Sequence, residues 1–301
     1  MVNMNIYNQI SSNNTKTIFL MVGFTVVIIL VAWVLGKAMG YGSGWIMTAL
    51  IISLLVNLGS YFWGDQLIVT MSGARPADRK RDFDFFTVAE NLSMAAGIPK
   101  PKLFVIDDTA MNAFATGRDP QHAIVVATSG ILSRLDRREL EGVIAHELSH
   151  IKNFDIRLLL AVTVLVGTLA FLADWFLRSL WWGGRSRDRE NRSGGGIMLI
   201  IGIVLAILAP LLATIIKLAI SRQREYLADA SGALLTRYPE GLARALEKLK
   251  GDHEVLEAAT NATAHLYITN PFKGKDFGAW FAGFFNTHPP IEERIRRLRS
   301  M

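Results

Sequence analysis

The sequence predicts a mostly α-helical, multi-pass membrane protein with about four transmembrane helices and a polar α+β domain that contains a small antiparallel sheet. Of the 301 residues, 51% are hydrophobic, and the mean hydropathy of +0.30 is high for a soluble domain. The excess lies in four long apolar runs, at about 18–35, 46–63, 158–180 and 197–220. Each run approaches the roughly 20 residues that an α-helix needs to cross a bilayer.

Residues 1–63 are predicted to form a polar tail and a transmembrane hairpin. Residues 1–17 are rich in Asn and Ser, which favours an unstructured cytoplasmic tail. Because the first apolar run follows a polar start that includes Lys16, a cleavable secretory signal is an alternative. The run is longer than a signal core and leads, through the short link 36–44, into a second hydrophobic run. We therefore expect a retained anchor.

Residues 64–157 are predicted to form the first part of a cytoplasmic domain. Cations close to the end of a membrane helix mark its cytoplasmic side. Such cations follow the second apolar run: Arg75, Arg79, Lys80 and Arg81.

This domain is expected to open with an amphipathic helix over 83–96, ended by Gly97 and Pro99. A strand over 102–107 follows. Two further short strands, 112–116 and 123–128, flank a turn and predict an antiparallel hairpin. Its edge could bind an extended peptide by strand addition, although a role in the core alone is also compatible with the pattern.

The next helix carries an HExxH motif at 146–150. Asp136 followed by Glu139 is a helix start signal, and apolar residues then recur at helical spacing. The imidazoles of His146 and His150 lie four residues apart and can therefore converge on one ion. With a third ligand they would leave Zn²⁺ an open position for water, and Glu147 could accept that water's proton. The motif predicts a zinc metalloprotease.

Composition restricts the kind of site and partner. The chain has no cysteine, which excludes disulfides and thiolate metal sites, so a zinc ion must be held by His and carboxylate. The net charge of +6 and the pI near 9.6 are explained by Lys and Arg on cytoplasmic segments beside anionic lipid. No nucleic-acid-binding motif accompanies the charge, so a nucleic-acid partner is not expected.

Residues 158–220 are predicted to form a second transmembrane hairpin. If the helices run on without a break, both metal-binding helices extend membrane helices, and the site lies near the bilayer surface. The loop 181–196 carries four arginines, which the positive-inside rule would keep in the cytoplasm, so a re-entrant hairpin is the alternative. Asp174 and Lys217 are expected to reach the interfaces rather than form a proton relay.

Residues 221–301 are predicted to complete the cytoplasmic domain and to supply the third metal ligand. A third histidine six residues after His150 is ruled out, because that position holds Ile156. Glu225 instead follows the fourth apolar run closely, and Asp229 lies one helical turn beyond it. A carboxylate there could accept the spare N–H of a metal-bound imidazole.

With these motifs the sequence resembles the HtpX family of membrane-integrated zinc metalloproteases, which is related to the CAAX-prenyl proteases of the Ste24 type. The resemblance covers nearly the whole chain and rests on the four apolar runs and four motifs: NAFATG at 112–117, HELSH at 146–150, REYLAD at 224–229 and THPP at 287–290 with Arg294 after it.

The resemblance implies a role for each site residue. His146, His150 and Glu225 would hold one zinc ion per chain, with Glu147 as general base and Asp229 behind the ligands. Asn112 would contact the substrate backbone, and His288 or Arg294 would orient the site or stabilise the oxyanion. The implied substrates are polypeptides, in particular misfolded membrane proteins, cleaved at the cytoplasmic face of the cell membrane in a stress response.

Several alternatives stay open at this stage. A CAAX-type processing protease would use the same chemistry on a prenylated substrate, and a membrane scaffold or transporter would hold a structural metal or none. His288 could cap the helix at 291–299, and Arg294 could belong to a solvated basic face. Residues 251–283 could form a flap over the site or a docking segment. Oligomeric state and cleavage preference do not follow from the sequence.

Overall fold

The computed structural model describes residues 6–38, 44–168, 222–260, 263–272 and 289–301. The two helices of the predicted membrane hairpin are α1 (Ile6–Ala38) and α2 (Gly44–Met71). The strands are β1 (Arg75–Pro76), β2 (Lys102–Ile106), β3 (Ala113–Gly117) and β4 (Ala123–Thr128). The remaining helices are α3 (Phe83–Ala96), α4 (Ser129–Arg134), α5 (Arg137–Lys152), α6 (described over 155–168), α7 (Arg222–Thr236), α8 (Pro239–Gly251) and α9 (Ile291–Arg299).

The sheet is mixed, so the expectation of an antiparallel sheet is wrong. Its strand order is β1-β2-β4-β3, in which β2 and β4 run parallel while β1–β2 and β3–β4 are antiparallel. The predicted hairpin of β3 and β4 is present, but it folds back so that β4 lies beside β2. All six residues of β4 are buried, and a strand that is apolar on both faces favours the centre of a sheet. This leaves β3 at an edge.

Helix α3 ends, and helix α5 begins, where local signals predicted. Gly97 ends α3 in the left-handed conformation, with φ of 68°, and its N–H donates to the Met94 and Ser93 carbonyls. At the start of α5, the Glu139 N–H donates to Asp136 Oδ1 at 2.9 Å, while the Asp136 N–H donates to Glu139 Oε2 at 2.8 Å. These caps fix the start of the helix that carries HExxH.

The core of the domain surrounds α5, which packs against α3, α7, α8 and the sheet. Val143, Ile144 and Leu148 on α5 are almost fully buried. The contact between α5 and α8 is backbone to backbone, since a Cβ at Gly142 would lie 2.5 Å from the Leu242 nitrogen. The HExxH helix is therefore held from several sides.

Two described helices are long and apolar enough to cross a membrane, over Ile10–Val31 and Ile46–Met71. Most of the large exposed hydrophobic side chains of the described residues lie on these helices, including Phe19, Leu55 and Trp63. Such a surface is suited to lipid. Asn57 on α2 joins the two helices, because its Nδ2 donates to Thr25 Oγ1 at 2.9 Å.

Several expectations about the membrane segments need correction. Residues 6–17 are not an unstructured tail but the first turns of α1, because Asn13 and Thr17 are buried in polar contacts. Helix α2 continues beyond residue 63 to Met71. Four predicted segments lie outside the described residues: the link 39–43, the remainder of the third run (169–180, with Asp174), the arginine loop 181–196 and the fourth run (197–220, with Lys217).

The expectation of one continuous helix from HExxH into the third apolar run is also wrong. Helix α5 ends at Lys152, Asn153 and Phe154 form a turn, and α6 begins at 155. The non-glycine residue Phe154 has a φ of 59° in this turn. Helix α6 then packs against both hairpin helices, since Leu165 contacts Phe24 and Leu160 lies against Gly64.

Candidate metal centre

The two histidines of HExxH point at the same place. His146 and His150 are both buried on one face of α5, and their Nε2 atoms are 3.2 Å apart. The spacing of four residues on a continuous helix produces this convergence.

Helix α7 brings Glu225 to the same point. Glu225 Oε2 lies 3.8 Å from His146 Nε2, and Glu225 Oε1 lies 3.7 Å from His150 Nε2. One ligand atom from each of the three residues falls within 4.8 Å of the others. The close approach of α7 depends on Gly232, since a Cβ there would lie 3.1 Å from the His146 nitrogen.

The outer nitrogen of each ring faces a buried carboxylate. His146 Nδ1 is 3.0 Å from Asp229 Oδ1, and His150 Nδ1 is 2.9 Å from Asp155 Oδ2. Sequence reasoning named Asp229 but missed Asp155. The available signal was a carboxylate just past the end of the HExxH helix, but its use depends on the turn at Phe154, which the sequence did not predict.

These contacts make the cluster suitable for a cation. A neutral imidazole that donates its Nδ1 proton to a carboxylate presents the lone pair of Nε2. When both rings are neutral, both lone pairs therefore point to the same place. A tetrahedral zinc ion with ligand bonds of 2.0–2.1 Å separates its ligands by about 3.4 Å. The separations of 3.2, 3.7 and 3.8 Å between these ligand atoms agree with that value to within about half an ångström.

Arg294 is buried behind the cluster and not on a solvated face. Its Nε and Nη2 donate to the Asp229 carboxylate at 2.9 and 2.7 Å, and its Nη1 is 3.6 Å from Glu225 Oε2. Burial alone would raise the pKa of Asp229, but Arg294 and His146 outweigh it and lower that pKa to about 2. Asp229 is therefore ionised at any physiological pH, and it can hold the Nδ1 proton of His146.

Glu147 is 3% exposed, beside the two imidazoles. Burial raises the pKa of its carboxyl, and the charge of Glu225 adds to the rise. The charges of His146 and His150 act in the opposite direction but do not cancel it. A carboxylate with a raised pKa accepts a proton more readily than an exposed one, as a general base must.

The other residues named from the sequence are placed differently. Asn112 lies just before β3, and its amide is bonded to the chain itself: Nδ2 donates to the Thr269 carbonyl at 3.0 Å, and Oδ1 accepts from the Ala113 and Thr269 N–H groups at 3.2 and 3.4 Å. His288 lies outside the described residues. Of the segment 251–283, residues 263–272 cover one end of β3, where the Ile268 N–H donates to the Ala113 carbonyl at 3.0 Å.

We predict that the affinity of the metal-free protein for zinc rises with pH. Burial lowers the pKa of His150, but the hydrogen bond to Asp155 and the charges of Glu225, Asp155 and Glu147 outweigh it and raise the pKa to about 9. Below pH 9 a zinc ion must displace this proton, so its affinity should increase about tenfold per pH unit between pH 7 and 8. Competition titrations with a chelator at several pH values, corrected for protonation of the chelator, measure this slope.

Asp155→Asn provides the comparison for that titration. The amide removes the negative charge and the charged hydrogen bond that raise the pKa of His150, so the pH slope should become shallower. Equal slopes in the two proteins would contradict the role given to Asp155.

The sequence is similar to those of known proteins. The sequence matches the family described as Peptidase family M48 over residues 80–301. It is 46% identical over 295 residues to a protease HtpX homolog of Dictyoglomus thermophilum, covering 98% of this chain and 94% of the relative. A protease HtpX homolog of Caldanaerobacter subterraneus subsp. tengcongensis is 43% identical over 298 residues, covering 98% of each chain. The crystal structure of S. mikatae Ste24p is similar with a TM-score of 0.49 and 20% identity, covering 90% of this chain, which spans 62% of that protein's length.

Proposed function

Because the chain belongs to the HtpX proteases of peptidase family M48 and is a membrane metalloprotease, we propose that it is a zinc-dependent endopeptidase that cleaves misfolded or damaged membrane proteins on the cytoplasmic side of the cell membrane. The observation that carries the proposal is the cluster of His146, His150 and Glu225, with Glu147 next to it on α5. Two imidazoles and a carboxylate are the ligand set of catalytic zinc sites, which keep one position open.

Each residue of the site has a different task in the proposed peptide hydrolysis. A zinc ion bound by His146, His150 and Glu225 would polarise the scissile carbonyl and lower the pKa of water. Glu147 accepts a proton from the attacking water and delivers it to the leaving amine. Asp229 and Asp155 accept the Nδ1 protons of His146 and His150, so each ring would bind the metal through Nε2.

Arg294 and His288 have different proposed tasks. Arg294 fixes Asp229 through two hydrogen bonds and also lies near the ligand Glu225, so it acts as a positioning residue. The donor to the oxyanion, which forms on the carbonyl oxygen during attack, is proposed to be His288.

A substrate would add to the outer edge of β3. The Thr128 N–H donates to the Asn112 carbonyl, so along an antiparallel ladder the N–H and C=O groups of Ala113, Ala115 and Gly117 face away from β4. The carbonyl of Ala113 is used by Ile268, so pairing with an extended peptide would take place at Ala115 and Gly117. All residues of β3 are buried, so this pairing would require the covering segment to move. Contact of the substrate with Asn112 would require Thr269 to leave the Asn112 amide.

The membrane hairpin supports the proposed orientation. The start of α1 and the end of α2 both meet the domain that holds the site, so the domain lies on one side of the bilayer. The cations Arg79, Lys80 and Arg81 lie shortly after the end of α2, which favours the cytoplasmic side. Membrane-inserted polypeptides that present an unfolded cytoplasmic segment would then reach the site.

Digestion of an unfolded protein tests this function. The full chain, purified in detergent, should degrade casein, lose that activity with a zinc chelator and regain it when zinc is restored. Folded casein-sized proteins without exposed segments should be cut far more slowly. Activity that persists after complete removal of metal would refute a metal-dependent mechanism.

A further inference from the structure

The turn between α5 and α6 is strained and lies next to the metal cluster. Phe154 has a φ of 59°, a left-handed conformation that bulky side chains rarely adopt. The turn determines where Asp155 lies relative to His150, because His150 is near the end of α5 and Asp155 is the first residue of α6. A conformation of this kind persists only when surrounding contacts hold it.

A side chain from the membrane hairpin supplies such contacts. Asn13, which is 1% exposed on α1, donates from Nδ2 to the Asn153 carbonyl at 3.0 Å and to Asp155 Oδ1 at 2.7 Å. The two acceptors lie on either side of Phe154, so one amide bridges the strained turn. The other oxygen of Asp155, Oδ2, accepts the Nδ1 proton of His150. A hydrogen-bonded chain thus runs from the start of α1 to a ligand of the metal cluster.

We propose that Asn13 is a positioning residue of the metal site, which sets the affinity for zinc by fixing Asp155 against His150. The proposal rests on the proposed zinc dependence. Both amide hydrogens of Asn13 are used in the bridge, and the acceptor Asp155 is itself 2% exposed, so water cannot readily replace the lost donor. The membrane hairpin therefore takes part in the metal site as well as anchoring it.

Asn14 offers a matched control. Its Oδ1 accepts from Arg157 Nη1 at 2.8 Å, which joins α1 to α6 one turn away, but no hydrogen bond joins Asn14 to Asp155 or to the turn. Asn14→Ala therefore weakens the docking of α1 without touching the chain of contacts to His150.

The experiment measures the zinc dissociation constant of the full-length protein in detergent by competition with a chromophoric chelator. Asn13→Ala should bind zinc about tenfold more weakly than wild type, at the lower end of the 10–100-fold effect of groups that orient metal ligands. Asn13→Asp keeps the side-chain volume but places a second carboxylate beside Asp155, so it should bind zinc at least as weakly as Asn13→Ala. Asn14→Ala should stay within about twofold of wild type.

A double-variant comparison separates positioning from general stability. If Asn13 acts through Asp155, Asn13→Ala should cause no further loss of zinc affinity in an Asp155→Ala background. The melting temperature of each metal-free variant is measured alongside, and Asn13→Asp supplies the result if Asn13→Ala is not recovered folded. Wild-type affinity in folded Asn13 variants, an equal loss in Asn14→Ala, or an additive loss in the double variant would overturn the proposal. A failure of the zinc-dependent function itself would instead appear as metal-independent casein digestion by wild type.

Discussion

Replacing Glu147 by Gln should lower the rate of peptide hydrolysis by about 10²–10⁴-fold and leave zinc bound. Glutamine has nearly the same shape, so the packing of α5 is kept, but its amide cannot accept a proton from the attacking water. Glu147 is not in the cluster of three ligand residues, so metal content should not change. The measurement is casein hydrolysis together with zinc content of the purified protein, and substantial turnover by zinc-loaded Glu147→Gln would refute the base assignment.

The same substitution should not destabilise the metal-free protein. Burial raises the pKa of Glu147, so the folded state binds this proton more tightly than the unfolded state does. Stability contributed by the protonated form begins to be lost as pH rises above the unfolded pKa and is fully lost above the raised folded pKa, whereas the neutral glutamine does not titrate. A melting temperature of Glu147→Gln equal to or above that of wild type at pH 7 is therefore expected.

Glu141→Gln is the control for both measurements. Glu141 lies on α5 before Glu147, by about one and two-thirds helical turns, and it pairs with Arg137 and Arg138 at the surface. It touches no residue of the cluster, so its loss should leave hydrolysis and zinc content unchanged.

Sequence reasoning predicted the parts of this fold that local signals determine. Helix α3 ends at Gly97 because a left-handed residue closes its last turn, and α5 starts after Asp136 because of a two-way cap with Glu139. The two histidine side chains of HExxH converge for an equally local reason, because residues four apart lie on the same face of a helix. Each of these features needs only a few neighbouring residues.

The features that sequence reasoning missed depend on contacts between distant segments. The position of Asp155 requires a strained turn at Phe154, and Asn13, 142 residues before Asp155, donates hydrogen bonds to both sides of that turn. Similarly, Arg294 looks like one of several helix-surface arginines in the sequence, yet only packing of α9 against α7 buries it beside Asp229. The parallel pairing of β2 with β4 has the same origin, since the pattern of each strand does not specify its neighbour.

Replacing Glu225 by Gln should lower zinc affinity by more than about 100-fold, beyond the effect expected for groups behind the ligands. The two imidazoles would remain, but the neutral amide no longer offsets the charge of the ion. Loss of hydrolysis should follow the loss of metal and should be partly recovered at high zinc concentration. Glu247→Gln, a change on the surface of α8 where Glu247 pairs with Arg299, should bind zinc as wild type does.

The contrast between Glu225→Gln and Glu147→Gln tests the division of roles directly. Both residues are buried carboxylates near the same imidazoles, so a general loss of negative charge would weaken metal binding in both variants to a similar degree. If Glu225 is a ligand and Glu147 a base, the first variant loses metal and the second keeps it. Full zinc occupancy in Glu225→Gln at a concentration that just saturates wild type would show that the third ligand lies elsewhere, and α7 would then only support the site through Asp229.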